Sequence, residues 1–97
     1  MDEKQILTMI ANNHLKPSVI DRVSENVVFY GFPLPSCKGF DDPKWLIQIY
    51  YVDGTMEFTG YPYGRREFIY AWTEREDLPY SINENMEPFY FNFQPPV

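Results

Sequence analysis

Apolar and polar residues alternate most regularly over residues 44–76. Trp45, Ile47, Ile49 and Tyr51 interleave with Leu46, Gln48, Tyr50 and Val52. A strand apolar on both faces belongs in the middle of a sheet. Asp53-Gly54 follows, the residue pair that best tolerates the positive φ angles of a two-residue hairpin. Residues 55–61 return, with Met56 and Phe58 on one face and Thr55, Glu57 and Thr59 on the other. Pro62-Tyr63-Gly64-Arg65 marks a second turn, after which residues 66–74 alternate again. Phe68, Tyr70 and Trp72 share one face there, opposite Glu67, Ile69, Ala71 and Thr73. The pattern predicts a three-stranded antiparallel meander. Its apolar face is expected to join Met56 and Phe58 to Phe68, Tyr70 and Trp72.

The period changes upstream. Glu3, Ile6, Leu7, Ile10 and His14 recur at helical spacing with Met9 beside them, predicting a helix over 2–14. Asp2 is placed to cap it, and Leu15-Lys16-Pro17 to end it. Pro17 is expected to open a second short helix to about Ser24, with Val19, Ile20 and Val23 on one side. Val27-Val28-Phe29-Tyr30 reads as a strand and 31–43, with Gly31, Pro33, Pro35, Gly39 and Pro43, as a long loop. Residues 75–87 are acidic and turn-rich. Behind Pro88, alternating Phe89, Phe91 and Phe93 predict a last strand.

The expected fold is therefore α+β. One or two short N-terminal helices pack on an antiparallel β-meander of four to five strands, covering its apolar face. A chain of 97 residues predicts one domain over 1–97, helical over 1–26 and β over 27–97.

Composition changes the picture in three ways. Eight Tyr, eight Phe and two Trp are more ring area than a small sheet under one or two helices can bury, so some rings are expected at an interface. Cys37 is the only cysteine, which excludes an intrachain disulfide and a thiolate zinc cluster. The net charge of −6 is also unevenly placed. Residues 1–40 hold four acids and four bases, whereas residues 41–97 hold ten acids against four bases. An acidic half disfavours contact with a phosphate backbone and steers a basic partner. Met1-Asp2-Glu3-Lys4 lacks the basic start and apolar core of a secretory signal, and no apolar run is long enough to cross a membrane. The expected location is the cytoplasm, of a cell or of an infected host.

Candidate chemistry is thin. His14 is the only histidine and falls beside the apolar stripe of the first helix. Lys38 next to Cys37 favours a thiolate, but no third group completes a nucleophilic set. Asp41-Asp42 and Glu74/Glu76 are carboxylate pairs without a metal-loop spacing, and the five glycines form no phosphate loop. The expectation is a protein that is not an enzyme and takes no cofactor or metal.

Non-catalytic protein binding is the preferred reading. In its sharpest form the chain is a small acidic inhibitor of phage or mobile-element type, occupying the basic groove of a nucleic-acid-handling enzyme. Glu74, Glu76, Asp77, Glu84 and Glu87 are the acidic contact candidates, and Tyr61, Tyr63 and Tyr80 the aromatic ones. One alternative is a self-associating structural subunit, a homo-oligomer joined through a sheet edge or the aromatic face. The other is weak single-stranded nucleic-acid binding through Tyr61, Tyr63, Arg65 and Arg66.

Overall fold

The computed structural model describes residues 2–90. One helix and six strands follow in the order α1 (Glu3–Ala11), β1 (Val19–Arg22), β2 (Val27–Pro33), β3 (Trp45–Asp53), β4 (Met56–Pro62), a 3-10 helix η1 (Trp72–Asp77), β5 (Pro79–Ser81) and β6 (Phe89–Tyr90). The fold is α+β, and every strand pairs antiparallel with its neighbour in sequence. β3 is the expected two-faced strand, with Trp45, Ile47 and Ile49 buried on one side and Leu46 on the other. The Asp53-Gly54 hairpin also forms, with Gly54 at φ +60. Phe91 and Phe93 of the expected last strand lie outside the described residues.

α1 starts on a reciprocal cap. The Gln5 N–H donates to Asp2 Oδ1 at 2.8 Å, and the Asp2 N–H donates to Gln5 Oε1 at 2.9 Å. It ends at Ala11, short of residue 14, where Asn13 turns to φ 59. The second helix expected over 17–24 is instead the edge strand β1. Val19 and Ile20 are stiff β-branched residues, and pairing with Gly31 and Tyr30 of β2 outweighs the helix start that Pro17 offers. β2 runs on to Pro33, so the loop expected over 31–43 begins only at Leu34.

The third meander strand expected over 66–74 does not form. That segment touches the sheet at a single bridge, Trp45 with Tyr70, and then coils into η1. It crosses the end of the sheet. Phe68 packs with Ile6, Phe32 and Leu46 beneath α1, while Trp72 packs on the opposite face with Val27, Phe29, Trp45, Ile47, Ile49 and Tyr80. The shared apolar face is thereby corrected. Phe58 and Phe68 serve different cores, Met56 is exposed, and α1 covers the Phe32–Leu46 side. Alternation misleads here because it records that each ring is buried, not that both lie on one side.

Candidate functional site

The acids of residues 74–87 lie on two segments that flank β5. Glu74, Glu76 and Asp77 are exposed on η1, and Glu84 and Glu87 are exposed on the connection from β5 to β6. A 3-10 helix has about three residues per turn, so Glu74 and Asp77 project from the same side. Arg75, the one base among them, turns inward. Its Nε and Nη2 donate to Asp21 Oδ2 on β1 at 3.0 and 2.8 Å, and its Nη1 donates to the Trp72 carbonyl at 3.1 Å. The guanidinium also lies 4.6 Å from the centre of the Trp72 ring. Arg75 thus neutralises Asp21 and not its neighbours. Among the described residues no base pairs with Glu74, Glu76 or Asp77. Glu84 lies 4.0 Å from Arg65 across an exposed gap, a contact of little energy.

The three tyrosines separate. Tyr63 is exposed and stacks on Tyr70 at 6.3 Å between ring centres. Tyr61 is half-buried on the α1 side of the sheet, and burial raises its phenol against the opposing pull of Arg66. Tyr80 is fully buried and leaves the contact set. Its ring packs against Phe29, and its hydroxyl donates to the Arg75 carbonyl at 2.6 Å, fixing η1 from below. Burial holds the Tyr80 phenol far above its ordinary range, against the smaller pull of Arg75. Sequence reasoning mistook it for a surface ring because Pro79 and Ser81 beside it read as turn.

Two apolar residues beside the acids were missed. Ile82 and Met86 are 46% and 43% exposed on the β5–β6 connection. Both were hidden in a polar stretch without periodicity. Elsewhere, Cys37 is half-buried and its thiol donates to the Gly39 carbonyl at 3.3 Å, while His14 is exposed past the end of α1. Asp42 accepts from the Lys38 N–H at 2.8 Å and so helps fold its own loop. Among the described residues no group of three or more His, Cys, Asp or Glu is placed to hold a metal, and no helix is long and apolar enough to cross a membrane. Compared with known proteins, the chain matches no protein family, no curated protein and no solved structure.

Proposed function

We propose that this chain is a non-catalytic protein-binding domain that presents η1 and the β5–β6 connection to a basic surface. The carrying observation is the withdrawal of Arg75 into its contacts with Asp21 and Trp72, which leaves Glu74, Glu76 and Asp77 outward and unpaired among the described residues. Unpaired surface acids raise the on-rate and selectivity for a basic partner more than the affinity itself. Ile82 and Met86 supply apolar contact next to that charge. The sharpest form of the reading is an inhibitor that occupies the basic groove of a nucleic-acid-handling enzyme.

Affinity capture from a host extract tests it with two controls. A specific partner is expected to be retained by the native chain, lost by the Glu74→Lys/Glu76→Lys/Asp77→Lys variant, and displaced by added duplex DNA or RNA. The circular dichroism of the variant should match that of the native chain. Retention by the charge-reversed variant would refute the acidic surface. Loss in the variant without displacement by nucleic acid would keep the surface and remove the groove-blocking form.

A further inference from the structure

The face of the sheet under α1 is only partly covered, and what it leaves open carries rings, an amide and two cations. α1 covers Phe32 and Leu46 through Ile6, Leu7 and Ile10. Beyond it lies a groove of about 520 Å³, a volume suited to one small molecule. Its floor is Tyr30, Gln48, Tyr50 and Tyr61. Tyr30 is the β2 partner of Gln48, and one more step of the β3–β4 register past Ile49 and Gly60 brings Gln48 beside Tyr61. The floor is therefore an amide between two phenol rings, with a third ring along the strand.

The walls carry charge of one sign. Lys16 lines the groove from the segment behind α1, and Arg66 from the side of Tyr61. Among the described residues no Asp or Glu lines the groove, although the chain has fourteen acids against eight bases. Burial, and after it the charge of Glu57, raise the Tyr50 phenol. Three carbonyls at the end of α1 are already occupied. The Thr8, Met9 and Ile10 carbonyls accept from the N–H groups of Asn12, His14 and Asn13. Gln48 lines the groove half-buried, and its side-chain amide makes no hydrogen bond with any described residue, so it keeps both a donor and an acceptor for a ligand.

We infer that this groove binds a single nucleotide. The tyrosines would stack on the base, Gln48 would pair with a base edge that needs a donor and an acceptor together, and Lys16 and Arg66 would hold the phosphate. A plain aromatic carboxylate would satisfy the cations and rings but leave the amide unused. The inference is independent of the acidic surface, which lies on other elements of the fold.

The test is a titration of the full chain, followed by NMR, with each of the four ribonucleoside 5′-monophosphates, the parent nucleosides, inorganic phosphate and benzoate. At least one monophosphate is expected to shift the Gln48 side-chain amide and the Tyr30, Tyr50 and Tyr61 rings. It should bind about ten-fold tighter than its nucleoside, phosphate or benzoate. Arg66→Ala should weaken the monophosphate about ten-fold and leave the nucleoside unchanged, a split that loss of folding would not produce. Phosphate or benzoate binding as well as the nucleotide would overturn the inference, as would shifts confined to other surfaces at millimolar nucleotide. A short single-stranded oligonucleotide is expected only to match the monophosphate. Binding about ten-fold tighter would replace the single-nucleotide site with a strand-binding one.

Discussion

A methyl group at Gly31 would stand 2.7 Å from two carbons of the Trp72 ring and 3.0 Å from Trp45. The two indoles lie 5.7 Å apart at 38°, and β2 passes beneath them only because it has no side chain there. Gly31→Ala is therefore expected to cost about 1–3 kcal/mol, the usual penalty for overfilling a packed core. Trp72→Phe in the same chain should recover part of it. Urea denaturation of the two single variants and the double variant measures this, and purely additive losses would contradict the packing argument. Gly64 is constrained differently, at φ +71 and with the Asn83 backbone where a side chain would begin. Neither demand could be read from the sequence. Gly31 looked like the start of a loop, and the tryptophan that needs its bareness lies 41 positions away (72 − 31).

At the scale of elements, η1 is tied to the edge strand β1 by Arg75 and Asp21, whose side chains are 23% and 31% exposed. Partial burial gives such a pair more weight than a fully exposed one, and the Trp72 ring adds a second contact for Arg75 alone. Arg75→Ala is expected to destabilise the fold more than Asp21→Ala, each by about 1 kcal/mol or somewhat more. A double-mutant cycle should show coupling of about 0.5–1 kcal/mol. Zero coupling would mean that the pair does not hold η1. The elements were unequally legible. α1, β3, the Asp53-Gly54 turn and β4 announced themselves because each is specified by residues close together in sequence. β1 and the 66–74 segment did not, because their form depends on distant partners. β1 needs Gly31 and Tyr30, and the segment needs two cores on opposite faces of the sheet. The same holds for the surface. The acids of η1 were visible as a run, but the inward turn of Arg75 rests on Asp21, 54 positions earlier.

Across the whole molecule the ring-rich core makes stability sensitive to alkali. Tyr80 is held far above its ordinary range by burial, and Tyr50, Tyr51, Tyr61 and Tyr70 are also raised, each chiefly by desolvation. A tyrosine in the unfolded chain ionises near about pH 10. Above that pH the folded state keeps protons that the unfolded state has released, so stability falls as pH rises; below it these groups contribute no pH dependence. Base-induced unfolding should therefore set in near about pH 10. Tyr80→Phe should move its midpoint upward while lowering stability at neutral pH by about 1 kcal/mol through loss of the bond to the Arg75 carbonyl. Circular dichroism against pH checks both, and an unmoved midpoint would assign the transition to other groups.

The segment that rounds the end of the sheet bears on how the chain comes off the ribosome. Strands β1 to β4 pair in the order in which they are made, the longest connection being that of residues 34–44 between β2 and β3. Phe68, Trp72 and Tyr80, which complete the two cores, are synthesised after all four. For that interval β1 to β4 have their mutual hydrogen bonds, but the face with Phe29 and Ile47 is bare and the face under α1 lacks Phe68. The period of greatest risk of aggregation then falls between the emergence of β4 and that of β5.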